Sequence, residues 1–148
     1  MIKTMVLGLG NILMGDDGIG VRVVERLQGA VPGAEVLDGA TSGLSLLEKL
    51  SAYEKVIVVD AVQMGKMPGE AARFSAQEIL DLPENQNFSL HEIGLAEVLK
   101  IGRSLNEKFD NLVVIGIQPK DINQGEKLSP EVEAKIPEVV EMVKKEVI

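Results

Sequence analysis

The chain has no cysteine and no tryptophan, and only one tyrosine, three phenylalanines and one histidine in 148 residues. Without cysteine there is no disulfide, no thiolate metal site and no cysteine nucleophile. The same lack fits a reducing compartment, and a cytoplasmic location is expected. A single histidine excludes a His-Glu-x-x-His zinc motif, and no Ser-His-Asp set is evident. With aromatics at 3%, the 45% of hydrophobic residues must build a core from Val, Ile, Leu and Met. Cations are scarce: Lys+Arg 15 against Asp+Glu 23 leaves a net charge of −8, which argues against a nucleic-acid partner. No run approaches the roughly 18 apolar residues of a membrane span. Lys3 and the apolar stretch Met5 to Met14 look faintly like a signal peptide, but Gly8, Gly10 and Asn11 interrupt it. Asp16 and Asp17 also stand where the small residues of a cleavage site belong. The expectation is a soluble protein with no membrane partner, one domain over 1–148, and by default a monomer.

What is present alternates. Met5-Val6-Leu7-Gly8-Leu9 reads as a strand buried on both faces, ended by Gly10-Asn11. Asp16 looks like an N-cap for a helix whose stripe is Ile19, Val21, Val23, Val24 and Leu27, stopping at Gly29. A second strand is expected at Glu35 to Leu37, then the loop Asp38-Gly39-Ala40-Thr41-Ser42-Gly43, then a helix through Leu44, Leu47 and Leu50. Val56 to Val59 is the clearest strand, with Asp60 at its end. A weaker strand near Ala72 to Ser75 carries Arg73, an edge signal, and a short helix follows from Ala76. His91 to Ile101 reads as a helix and Leu112 to Ile117 as a strand. Pro130 to Val147 reads as one closing helix capped by Ser129. Strands alternating with helical stripes predict a three-layer α/β fold around a largely parallel sheet.

In such sheets ligands bind beyond the C-terminal strand ends, where strand order reverses. Acidic residues follow or end the first three strands: Asp16 and Asp17, Asp38, and Asp60. Gly8-Leu9-Gly10 matches half of a dinucleotide fingerprint, yet Leu13 replaces its third glycine. Asp16 and Asp17 would also repel a pyrophosphate docking at the helix start, by about 4 kcal/mol per charge pair at ~4 Å and an effective dielectric near 20. A cation suits that corner better. Asp17, Asp60 and His91 would offer two carboxylates and an imidazole, a set suited to nickel, zinc, manganese or non-haem iron, with positions left open for a reactive ligand. Each residue also has a plainer reading. Asp16 and Asp17 can cap a helix, Asp60 can cap a turn, Asp38-Gly39 is a turn signal, and a lone histidine is more often a surface residue than a ligand.

Together the segments say more. Gly8-Leu9-Gly10-Asn11-Ile12-Leu13-Met14-Gly15-Asp16-Asp17-Gly18-Ile19-Gly20 resembles the opening motif of the hydrogenase maturation endopeptidases. Asp38-Gly39-Ala40-Thr41-Ser42-Gly43 is similar to their second motif, Asp60-Ala61 follows the matching strand, and His91-Glu92-Ile93-Gly94-Leu95 resembles their histidine segment. Gly116-Ile117-Gln118-Pro119 matches a strand end of the family, so the likeness spans nearly the whole chain. Ala40 departs, standing where the family usually has glycine.

The resemblance implies a three-layer α/β/α sandwich with a five-stranded, mostly parallel mixed sheet whose fourth strand is antiparallel. It implies an endopeptidase that removes the C-terminal extension of a nickel-iron hydrogenase large-subunit precursor after nickel insertion. Nickel would arrive with that precursor, and no permanently bound cofactor is expected. Asp17, Asp60 and His91 map to the catalytic, metal-contacting positions. Asp16 is left as a structural helix cap, and Asp38, Gly39, Ala40 and Thr41 as a loop that contacts the peptide. Two other readings stand beside this one: a metallohydrolase holding its own zinc or manganese, and a non-catalytic nickel chaperone.

Overall fold

The computed structural model describes residues 3–40, 44–82 and 95–148, without the side chain of Ala40. Five strands form one sheet: β1 (Thr4–Leu9), β2 (Ala34–Ala40), β3 (Lys55–Ala61), β4 (Ala71–Ser75) and β5 (Leu112–Ile117), in the order β2-β1-β3-β5-β4. All neighbours are parallel except β4, which runs antiparallel to β5 at the edge. The described helices are α1 (Ile19–Leu27), α2 (Ser45–Ala52), α3 (Ala76–Leu80), α4 (Leu95–Ser104), α5 (Pro130–Glu133) and α6 (Ile136–Val147). None of them is long and apolar enough to cross a membrane.

Two-residue alternation along the strands divides the core. Val6, Ile57, Val59, Ile115 and Ile117 pack against α1, α5 and α6. Leu7, Leu9, Val56, Val58 and Val114 pack against α2, α3 and α4. Both faces are therefore covered, which is why the central strands read as unbroken apolar runs. α1 contributes Ile19, Val23, Val24 and Leu27, one stripe of a 3.6-residue helix. It lies very close to the sheet because Gly8 and Gly20 face each other: a methyl on Gly8 would sit 2.5 Å from the Gly20 carbonyl oxygen. A methyl on Gly20 would overlap the carbonyl oxygens of Val59 and Leu9.

The mixed five-stranded sheet agrees with the resemblance, and β4 is the expected antiparallel edge. Two expectations need correction. β2 does not end at Leu37 but runs through Asp38, Gly39 and Ala40, so the Asp38-Gly39 pair is strand rather than turn. β1 lies alongside and pairs Gly8 with Asp38 and Leu9 with Ala40, and that ladder overrides the turn preference of the dipeptide. The closing helix is two helices. Pro137 has no N–H to give to the Glu133 carbonyl, so the chain breaks after α5 and restarts with Pro137 in the first turn of α6. The expected start of a helix at His91 lies outside the described residues.

Candidate functional site

β1 has β2 on one side and β3 on the other, so the order of strands along the sheet reverses there and the C-terminal ends of β1 and β3 border the switch-point crevice. Asp17 and Asp60 are delivered to this edge by different means.

Asp17 sits in a single 3-10 turn, Gly15–Gly18, between β1 and α1. Gly10 opens the connection with φ of 129°, and a methyl there would overlap the Asp17 carbonyl oxygen, so only glycine lets the loop close on the turn. Asn11 steers it: its Oδ1 accepts from Leu13 N–H at 2.9 Å and its carbonyl accepts from Met14 N–H at 3.0 Å. Asn11 N–H in turn donates to Asp17 Oδ2 at 2.9 Å, fixing a carboxylate that is 3% exposed. The turn packs against β3.

Asp60 needs no loop. It is the next-to-last residue of β3, paired in register with Gly116, and is 2% exposed. Alternation puts it on the face of Val56 and Val58, the one covered by α2, α3 and α4. Its Oδ1 accepts from the Ala61 N–H at 2.9 Å.

Asp16 is fully buried, and its role as a cap for α1 is corrected. The 3-10 turn starts at Gly15, so Asp16 lies inside it, and the residue before α1 is Gly18, which makes no side-chain cap. The Asp16 carboxylate instead crosses to the 120–129 loop. Its Oδ2 accepts from Lys120 N–H and Asp121 N–H, both at 2.9 Å, and from Ser129 Oγ at 2.7 Å. Its Oδ1 accepts from Ser129 N–H at 2.7 Å. Ser129 does precede α5 as expected, but its hydroxyl serves Asp16 and not the helix.

Asp38 is exposed in β2, beside the end of β1, and Gly39 lies against the side chains of Leu7 and Leu9. Thr41 and His91 lie outside the described residues. Among the described residues no group of three or more His, Cys, Asp or Glu is arranged to hold a metal ion. The two carboxylates thus reach one edge, and the imidazole of the proposed trio belongs to the segment that is not described. In the sequence Gln118 counts only as one residue of the Gly116–Pro119 likeness, with no role of its own; it is buried after β5. Its Oε1 accepts from Met64 N–H at 2.7 Å and Lys66 N–H at 3.3 Å, while its Nε2 donates to Gln63 Oε1 at 2.7 Å. It therefore ties down the loop leaving β3. A polar residue directly after a wholly apolar strand was the available signal.

Electrostatic pairing near the 120–129 loop is peripheral. Lys120 and Glu131 form an exposed ion pair whose hydrogen bond raises the lysine pKa and lowers that of the carboxyl.

The fold and this edge define a class: a small α/β/α protein with two buried carboxylates at the switch point of its sheet. The chain belongs to the hydrogenase maturation protease family, a family of peptidases, whose model matches residues 21–146. It is 36% identical over 146 residues to the Hydrogenase 2 maturation protease of Escherichia coli (strain K12), covering 96% of this chain and 88% of that protein. It is 34% identical to the hydrogenase expression/formation protein HupD of Thiocapsa roseopersicina over 95% of this chain, but spans only 65% of that protein's length. Among solved structures it is similar to the NiFe hydrogenase maturation protease HybD from Thermococcus kodakarensis, at 32% identity, 99% coverage of both chains and a TM-score of 0.79. The maturating endopeptidase HybD from E. coli matches at 34% identity and a TM-score of 0.78, covering 95% of this chain and 89% of that one.

Proposed function

We propose that the chain is the endopeptidase that cuts the C-terminal extension from a nickel-iron hydrogenase large-subunit precursor once nickel is in place. It acts as a monomer in the cytoplasm and recognises the client's nickel through Asp17, Asp60 and His91. The observation that carries this reading is the pair of buried carboxylates brought to one switch-point edge in a member of a peptidase family. Main-chain N–H groups fix one oxygen of each, Asn11 for Asp17 and Ala61 for Asp60, so both carboxylates are oriented before a client arrives. Two carboxylates and an imidazole make a mixed oxygen–nitrogen donor set that suits nickel. When the client is bound, its nickel supplies Lewis acidity, either polarising a carbonyl or acidifying a water. The chain's own residues hold the client in register and keep the scissile bond at the cleft. Asp38, exposed where β2 runs beside the end of β1, starts the segment through Thr41 that contacts the client's peptide. A precursor without nickel lacks the coordination energy that would hold it, which makes the cut a checkpoint.

The test is to mix the protein with precursor, with and without nickel, and weigh the products by mass spectrometry. A shortened product only with nickel is expected. Cleavage independent of nickel, together with zinc or manganese that survives dialysis in the purified protein, would favour a self-contained metallohydrolase. A stable complex without a shorter product would favour a chaperone.

A further inference from the structure

The tandem acids lie next to each other in the chain and do different things. Asp17 accepts from its own loop, whereas Asp16 accepts four hydrogen bonds from residues more than 100 positions away. Main-chain bonds reinforce the same seam. Gly15 N–H donates to Gly125 O, Gly125 N–H to Leu13 O, and Asp16 N–H to Asp121 O, each at 2.8 Å. Met14 and Gly125 form a parallel bridge. The stretch 13–16, directly before Asp17, is therefore sewn to the 120–129 loop. A 3-10 turn of four residues with no side-chain cap has little stability of its own.

We infer that Asp16, acting with Ser129 on the 120–129 loop, is the positioning residue for Asp17. This rests on the reading that Asp17 meets the client's nickel. Only a carboxylate fits the place. Oδ2 faces three donors and Oδ1 a fourth, so an amide of the same shape, in either orientation, sets its NH2 against at least one main-chain N–H. The loss reaches Asp17 because the turn that carries it starts one residue before Asp16.

The test compares Asp16→Asn, Ser129→Ala and Ser129→Thr. Amide hydrogen exchange followed by NMR reports on the Asn11 N–H, whose acceptor is Asp17 Oδ2. In Asp16→Asn this amide should exchange about tenfold faster while amides of α6 keep their protection. kcat/KM for nickel-loaded precursor should fall by about tenfold or more, since small misplacements at a site are costly. Ser129→Ala, which removes one donor and spares the carboxylate, should show smaller changes in both, and Ser129→Thr should restore both. It carries the test if Asp16→Asn fails to fold. Unchanged Asn11 exchange beside faster exchange at 120–129 would overturn the inference, since Asp16 would then hold only the loop. A control Asp17→Asn keeps the two readings apart: normal cleavage by that variant defeats the part given to Asp17, whereas the Asn11 exchange judges the latch whatever the activity.

Discussion

The turn after β1 and the end of β3 each deliver a buried aspartate to the same edge, and they do it on different foundations. Asp60 is placed by strand register: once β3 lies between β1 and β5, alternation decides where its side chain goes. Asp17 is placed by a short turn that depends on Gly10, Asn11 and the distant 120–129 loop. The first arrangement resists local change because moving Asp60 means moving the core. The second can be loosened by one side chain far away in sequence. A site built this way combines a rigid half and a half whose precision is open to adjustment.

The comparison can be broken most directly by removing the groups themselves. Asp17→Ala, Asp60→Ala and His91→Ala should each leave a folded protein and abolish processing, a loss of about three orders of magnitude if several kcal/mol of barrier lowering depend on each contact. Mass spectrometry of precursor after overnight incubation reads this, and normal cleavage by any two variants would end the site assignment. Next in size is Gly20→Ala, at the point where the two regions meet. A methyl there overlaps the carbonyl oxygens of both Leu9 and Val59, one residue from Asp60. It should lower stability by about 3 kcal/mol, visible in urea unfolding, because the overlapped atoms are backbone that cannot rotate away. A loss under 0.5 kcal/mol would show that α1 has more freedom over the sheet than the fold implies.

The smallest effect is expected at the far edge of the sheet. Glu146, near the end of α6, is bonded by Arg73 on β4 and lies 3.2 Å from Lys55 Nζ at the start of β3. The Arg73 hydrogen bond chiefly, with help from Lys55, holds the Glu146 carboxyl below its ordinary value of 4.5. A depressed folded pKa contributes stability that is full above the unfolded value and fades as pH falls through the folded one. Glu146→Gln should therefore cost about 0.5 kcal/mol at pH 7, with the difference from the parent melting curve closing as the pH drops below 4.5. Processing should be unaffected, since this cluster touches neither aspartate. Impaired processing would mean that the two edges are coupled through β3.

Most of the fold was legible because its signals are local. Val56 to Val59 and Leu112 to Ile117 are apolar on both faces, and Ile19 to Leu27 carries a helical stripe, so strands and helices declare themselves. The expectation failed where a neighbour outvoted a dipeptide. Asp38-Gly39 is a turn signal that became strand because β1 runs beside it, and the break just before Pro137, at Ala134 and Lys135, was hidden within an otherwise good helical pattern. Asp17 and Asp60 were legible as acids following strands, and the structure brings both to the switch point. His91, the third member, falls in the undescribed segment 83–94. Ser129 was legible only as a helix start and Gln118 only as part of a motif, because their hydroxyl and amide act on partners far along the chain.

The sequence alone determined the order of elements, the chemistry available at each strand end and the family resemblance, since periodicity and residue type are properties of short stretches. That Asp16 locks a loop instead of capping α1 was decided in three dimensions. Asp16 finds its donors at Lys120, Asp121 and Ser129, and no local pattern encodes a contact across more than 100 residues of chain.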